Sequence, residues 1–263
     1  MRPRAILLAV LVAASGATTQ AQEPPRVPSA AARTGWLADY AFHLGLETLS
    51  GDDSRFQWDF DAGGDLDLLR TAGGRVNFLF NYEGLLGQQL QQFDPIFNTY
   101  TIDVLGAVEV AGVELGARLH HVSVHLGDRP KPFLIGWNTL GGDATWTRTT
   151  ARSTWLVRGW ASGVFWHQYV DYAAEAGADA LAMRTLSSKV ALVARGNVLA
   201  LFVDEARSNR GTQLGGRAEG AVRLTGAGAA VEFYVGVDRR IDPDPLDPGP
   251  VTWALVGLRL VSR

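Results

Sequence analysis

Apolar and polar residues alternate with a period of two along most of this chain. Between 56 and 68 (FQWDFDAGGDLDL) the even positions are Phe56, Trp58, Phe60, Ala62, Gly64, Leu66 and Leu68, and the odd ones include Asp59, Asp61, Asp65 and Asp67. Successive side chains of a strand point to opposite faces, so this pattern predicts a strand with one apolar and one acidic face. Val76, Phe78, Phe80 and Tyr82 oppose Arg75, Asn77, Asn81 and Glu83 in the same way; Tyr100, Ile102, Val104, Gly106, Val108 and Val110 oppose Thr101, Asp103 and Glu109. After Ala111-Gly112, a tight hairpin connection, Val113, Leu115, Ala117 and Leu119 oppose Glu114, Arg118 and His120.

Twelve strands fit: about 35–48, 55–70, 75–87, 99–110, 113–126, 138–150, 153–168, 176–194, 197–206, 212–224, 229–240 and 251–263. The eighth is long enough to contain a bulge or an irregular break. Short turns at 71–74, 111–112, 195–197 and 225–228 alternate with longer loops such as 88–98, 127–137 and 241–250. An even strand count, with short turns at one end and long loops at the other, is the layout of a membrane-spanning barrel. The polar faces carry charges of both signs, which suits a lumen, and only closure satisfies every backbone group in lipid. The fold class is therefore all-β: a closed antiparallel transmembrane β-barrel of about twelve strands. A twelve-strand lumen is small and can be filled by side chains.

Composition narrows the reading. The 263 residues include no cysteine, which excludes disulfide scaffolds and cysteine nucleophiles. With 47% apolar and 19% charged residues, the chain is too apolar for a disordered one. No run reaches the ~18 consecutive apolar residues of a spanning helix. A net charge of −3 gives no basic field for nucleic acid. Residues 1–21 read as a secretory signal peptide: Arg2 and Arg4, an apolar run from Ala5 to Ala14, and Thr19-Gln20-Ala21 as the cleavage site. Residues 22–33, rich in Pro and Ala, form a flexible lead-in, and 34–263 the barrel. The expected location is the bacterial outer membrane and the expected partners its lipids and lipopolysaccharide; nothing in the sequence sets an oligomeric state.

The candidate chemistry lies in LHHVSVHLGDR (119–129). His121, Ser123 and His125, spaced by two, share one strand face. An imidazole two residues from a hydroxyl can act as its base, and a third group would orient that imidazole. A regular 127–137 hairpin would place His121 opposite Asp143, making Ser123, His121 and Asp143 a catalytic set, with His120, His125 and Asp128 as binding residues. The 111–112 hairpin pairs His121 with Ile102 and Ser123 with Tyr100, on the apolar, lipid-facing side. A one-residue bulge at His120-His121 would instead turn the cluster inward. Two other readings compete: a hydrogen-bonded rim that holds the adjacent loop, and a metal site of His121, His125 and Asp128, for which four strand positions is a wide separation. His43 and His167 are isolated and read as girdle or lumen residues.

Over its mature length the chain resembles bacterial outer-membrane β-barrels, with its last strand ending in Arg263 where such barrels usually end in an aromatic residue. His121-Val122-Ser123 is similar to the lipid-facing His-x-Ser of the twelve-stranded outer-membrane phospholipase A family, although Val124-His125 follows where that family has Asn-Gly. NYEGLLG (81–87), FDP (93–95), Tyr100 and HHVSVHLGD (120–128) together are similar to an uncharacterised family of bacterial outer-membrane barrel proteins, which implies no particular activity. The loop IDPDPLDPGP (241–250) sets Asp242, Asp244 and Asp247 among four prolines. It reads as a stiff external loop whose carboxylates are suited to attract calcium, the single cofactor the sequence suggests. The functional expectation is a structural barrel or small passive pore; the alternative is a lipid-directed serine hydrolase, a phospholipase or lipid A deacylase, using His121 and Ser123.

Overall fold

A computed structural model describes residues 33–127, 130 and 133–262. The signal peptide, nearly all of the lead-in, and Asp128 lie outside the described residues. The strands are β1 Gly35–Leu49, β2 Trp58–Arg70, β3 Gly74–Gly87, β4 Asp94–Val110, β5 Val113–Leu126, β6 Ile135–Thr149, β7 Ser153–Gln168, β8 Tyr172–Thr185, β9 Val190–Val203, β10 Gln213–Thr225, β11 Ala229–Arg240 and β12 Val251–Ser262. Each pairs antiparallel with its sequence neighbours, and β1 closes on β12 through pairs from His43–Val261 to Leu49–Leu255. The result is a closed twelve-stranded barrel without helices among the described residues.

Short turns and long loops alternate as expected, with β4 and β6 starting earlier, at Asp94 and Ile135, and one turn misplaced. Strand β8 stops at Thr185, and the turn is Leu186–Lys189, not Arg195-Gly196-Asn197. Those three residues lie inside β9, where Arg195 faces the lumen and donates to Glu219 and Glu232 and Asn197 accepts from the Arg217 amide. Two polar residues flanking a glycine look like a turn in sequence, but here their partners sit on the neighbouring strands β10 and β11.

The barrel is apolar outside and polar within. Exposed residues include Leu44, Phe80, Ile102, Val104, Leu119, Leu140, Val157, Val198, Phe233, Val235 and Val256. Buried ones include Glu47, Asp59, Asp67, Asp103, Asp179, Glu219, Glu232, Asp238, Arg240 and Arg259. A water-soluble protein reverses this distribution; lipid imposes it, because a charged residue at the lipid midplane costs about 2–4 kcal/mol.

The lumen is filled in layers. Near the short turns, Arg75 bridges Asp67 (3.0 Å) and Glu114 (2.8 Å). Above it, Arg195, Arg217, Arg223 and Arg259 interlock with Glu47, Glu219 and Glu232. Arg240 then joins Asp59, Asp238 and Glu83. Toward the long loops the inward face turns apolar, with Leu85, Val122, Val124, Trp137, Tyr172, Leu199, Leu201, Ile241 and Trp253 in one cluster. At Gly63 the packing requires glycine: an added Cβ would stand 2.3 Å from Asn81 Oδ1 and 2.8 Å from His43 Cε1. That space admits the His43 ring, which bonds Asp61 (3.1 Å) and Asn81 (3.0 Å).

Candidate functional site

The register between β4 and β5 is unbroken from Phe97–Leu126 to Val110–Val113. There is no bulge at His120-His121, so His121, Ser123 and His125 stay in phase with Leu115 and Leu119 on the outer face. Val122 and Val124, between them, point inward and are buried. The cluster therefore faces outward, within six residues of the end of β5 at the long-loop side.

Three strands frame it. Ser123 stands opposite Tyr100 on β4 and Gly136 on β6. His121 stands opposite Ile102 and Asn138, and His125 opposite Asn98. Two contacts define the chemistry: Ser123 Oγ lies 3.1 Å from His125 Nε2, and His121 Nδ1 lies 2.6 Å from Asn138 Oδ1. Aromatic rings line the flanks. Tyr100 meets the His125 ring edge-on at 5.3 Å, and the Tyr82 hydroxyl donates to Asn98 at 2.6 Å. On the other flank β7 slips by one residue against β6 between Asn138 and Thr139, which brings Trp166 opposite Asn138. A bulge beside a cluster of polar side chains re-aims a residue toward it. Gly136 presents no side chain beside Ser123, and a Cβ there would approach Val122 O to 2.8 Å. The Trp166 ring also borders this position, 3.8 Å from where that Cβ would stand.

The expected partner Asp143 is elsewhere. It pairs with Gly116, not His121, and faces the lumen 3.7 Å from Arg118. The 127–134 connection is shorter than expected because β6 already begins at Ile135, and this shifts the register by five residues. Asn138 takes the position opposite His121; its outward parity, at the first residue of the expected sixth strand, was the signal available for it. His120 faces inward and bonds Asp103 at 2.5 Å, so it stands on the other side of the wall from Ser123. Among the described residues no group of three or more histidines, aspartates or glutamates is placed to hold a metal ion.

The external loops are latched by ion pairs, and their aspartates are spent there. Asp242 accepts from Arg210 (2.7 and 2.6 Å) and from the Tyr172 hydroxyl (2.8 Å). Asp244 accepts from Arg55 (2.7 Å), and Asp247 lies 3.6 Å from the same guanidinium. The loop carboxylates expected to attract calcium are thus divided between two arginines. Arg210 also bonds Asp171 (2.9 and 2.7 Å). Burial, the largest influence, works to raise the Asp171 pKa, but hydrogen bonds from Arg210 and Ser208 and the charge of Arg210 together outweigh it and hold the carboxyl below its ordinary value.

No family model and no curated sequence matches this chain. Solved structures do match in fold. An outer-membrane channel from Pseudomonas putida F1 aligns with a TM-score of 0.52 at 12% identity, over 90% of this chain and 99% of that one. Outer membrane phospholipase A from Escherichia coli, carrying an asparagine-to-alanine active-site mutation, aligns with a TM-score of 0.52 at 12% identity, over 87% and 91%. LpxR from Salmonella typhimurium aligns with a TM-score of 0.50 at 8% identity, over 84% and 99%. The chain has the fold of the outer-membrane β-barrels of Gram-negative bacteria. At these identities the likeness concerns architecture alone, and the same architecture carries both a channel and a phospholipase, so activity must be argued from the site.

Proposed function

We propose that this chain is an integral outer-membrane barrel whose outer face carries a serine hydrolase site directed at acyl esters of outer-leaflet lipids. The observation that carries it is the outward polar cluster: Ser123 bonded to His125, and His121 to Asn138, on a surface otherwise apolar. Polar side chains facing lipid are costly, and functional sites are where such a cost is tolerated. In the reaction His125 Nε2 takes the Ser123 proton, and Oγ attacks the ester carbonyl. The lysolipid alkoxide leaves with that proton, and water, deprotonated by the same imidazole, cleaves the acyl-serine to free fatty acid. Asn138 orients His121, a second imidazole on the same strand face as the hydroxyl. The phospholipase A of similar fold has an active-site asparagine, and Asn138 is the matching residue type here.

The passive-pore reading is weakened by the interlocked arginine–carboxylate layers that cross the lumen. A structural barrel without activity is the second reading, supported by Val124-His125 standing where the phospholipase family has Asn-Gly. The deciding experiment incubates detergent-folded protein with phosphatidylethanolamine vesicles and with lipopolysaccharide, with and without calcium, and measures fatty acid release. Release by wild type, at least 10²-fold lower in Ser123→Ala and His125→Ala, is the expected result. No release under any condition leaves the structural barrel. Loss in His121→Ala with full activity in His125→Ala would overturn the assignment of the base.

A further inference from the structure

An ester attacked by Ser123 Oγ passes its carbonyl electron pair to oxygen, and that oxyanion needs hydrogen-bond donors. Loops and helix N-termini supply them as free backbone amides. A barrel wall does not. Around Ser123 the ladders run through Gly84–Asn98, Tyr100–Ser123 and Ser123–Gly136, and they engage the backbone N–H groups of β3, β4, β5 and β6. The donor must therefore be a side chain on the outer face.

Asn98 meets that requirement. It stands opposite His125, two residues along β4 from Tyr100, which is opposite Ser123. Diagonal neighbours of this kind lie about 7–8 Å apart, a gap that a substrate carbonyl bridges. The amide is held in one orientation, because the Tyr82 hydroxyl donates to Asn98 Oδ1 at 2.6 Å. Tyr82 reaches it across Gly84, where an added Cβ would stand 3.4 Å from that hydroxyl and 3.8 Å from Asn98 Oδ1. The oxygen thus points toward β3, and the nitrogen of the planar group is turned away from β3. Among the described residues Asn98 Nδ2 has no acceptor, and it is not one of the buried atoms left without a partner, so it stays accessible to a lipid. Asn138, on the other flank of Ser123, is already engaged with His121.

We propose that Asn98 Nδ2–H is the oxyanion donor of this site and that Tyr82 is its positioning residue, a role that rests on the hydrolase reading of Ser123 and His125. As Oγ bonds to the carbonyl carbon, its proton passes to His125 and the carbonyl pair to oxygen, where the Asn98 amide stabilises it. The pair returns to re-form the carbonyl as the bond to the lysolipid oxygen breaks, and that oxygen takes the proton from His125. The oxyanion is absent from bound substrate, so the amide acts on kcat and not on KM.

Fatty acid release from phosphatidylethanolamine and from lipopolysaccharide by the full detergent-folded chain tests it, in wild type, Ser123→Ala, Asn98→Ala, Asn98→Asp, Tyr82→Phe and the Tyr82→Phe, Asn98→Ala double variant. Asn98→Ala is expected to lower kcat about 10²–10³-fold, with KM and the pH profile unmoved. Tyr82→Phe should lower kcat about fivefold, the worth of one neutral hydrogen bond, and add nothing in the Asn98→Ala background. Asn98→Asp keeps the shape without the donor and should be as slow as Asn98→Ala; it carries the test if Asn98→Ala lacks the heat-dependent gel shift of a folded barrel. A kcat close to wild type in Asn98→Ala, or a loss confined to KM, overturns the inference and leaves the hydrolase reading standing. A shifted pH profile overturns it too, since Asn98 would then act on the His125 base. An undiminished Tyr82→Phe effect in the double variant removes Tyr82 from the assignment. No release by wild type, or equal release by Ser123→Ala, defeats the hydrolase reading itself and this inference with it.

Discussion

Glu232 is the side chain whose loss the barrel interior should feel most. It has no exposed surface and accepts from Arg195 (2.7 and 2.8 Å), Arg223 (2.7 Å) and Arg259 (3.4 Å). Around it, four guanidiniums of Arg195, Arg217, Arg223 and Arg259 face the three carboxylates of Glu47, Glu219 and Glu232. Replacing Glu232 with alanine leaves the same four cations on two carboxylates, in a place water reaches poorly. Removing one partner of a buried ion pair costs about 3–5 kcal/mol, because the remaining charge is desolvated and uncompensated. Two close guanidinium contacts at about 1.5–3 kcal/mol each lead to the same range. Urea unfolding of vesicle-inserted protein at pH 7, followed by tryptophan fluorescence, should show a loss of that size for Glu232→Ala. Arg223→Ala in the Glu232→Ala background should recover part of it, since one surplus cation is then removed, and the coupling read from the four-way cycle should exceed about 0.5 kcal/mol. A loss below about 1 kcal/mol for Glu232→Ala would refute the reasoning and mean that water, not the carboxylate, solvates those arginines.

Two further outcomes are expected. Gly63→Val should lower the stability read by urea unfolding by about 1–3 kcal/mol or prevent insertion, because even a Cβ would collide with Asn81 Oδ1 and stand 2.8 Å from the His43 ring; wild-type stability would mean that His43 is free to move aside. Arg210→Ala should make 204–212 and 241–250 susceptible to protease in the folded protein, since this guanidinium joins Asp171 to Asp242. A carboxyl held below its ordinary value contributes stability above that value and loses it as the pH falls through the folded one. The wild-type loops should therefore stay resistant at neutral pH and become susceptible only as Asp171 protonates, at a pH below its ordinary value of 3.8, while Arg210→Ala should be susceptible throughout.

Much of this architecture was legible because lipid and lumen impose opposite chemistry on alternate residues. The parity of Phe60 against Asp59 and Asp61, or of Ile102 and Val104 against Asp103, assigns faces without any knowledge of contacts, and the 111–112 turn then fixes which residue meets Ser123. The misplaced elements share one cause. Arg195 and Asn197 have partners on β10 and β11, and no local rule distinguishes a polar pair that bonds to neighbouring strands from one that bends the chain. The β5–β6 register depended on the course of 127–134, which alternation does not encode, so Asp143 was expected where Asn138 stands. The polar strand faces were read as lining the lumen, yet Val122, Val124, Trp137 and Leu199 turn its long-loop end apolar. Their parity was visible, but a strand end that emerges beyond the lipid has no alternation to keep.

The two faces of β5 give the clearest physical contrast in the molecule. His120 and His121 are neighbours in sequence, yet one is neutralised by Asp103 among lumenal charges and the other is held by a neutral amide toward the lipid side. A carboxylate on the outer face would have to be desolvated by lipid, at the cost that keeps acids off such surfaces, whereas an asparagine oxygen can fix the ring orientation without bringing a charge. The same economy holds for Ser123 and His125, which bond each other with no carboxylate between them. A catalytic group on a lipid-facing wall is thus expected to be built from neutral residues with one proton to share, and the sequence from 119 to 138 supplies that set: two imidazoles, one hydroxyl and one amide, with Arg118 and Asp143 of the same strands turned to the lumen.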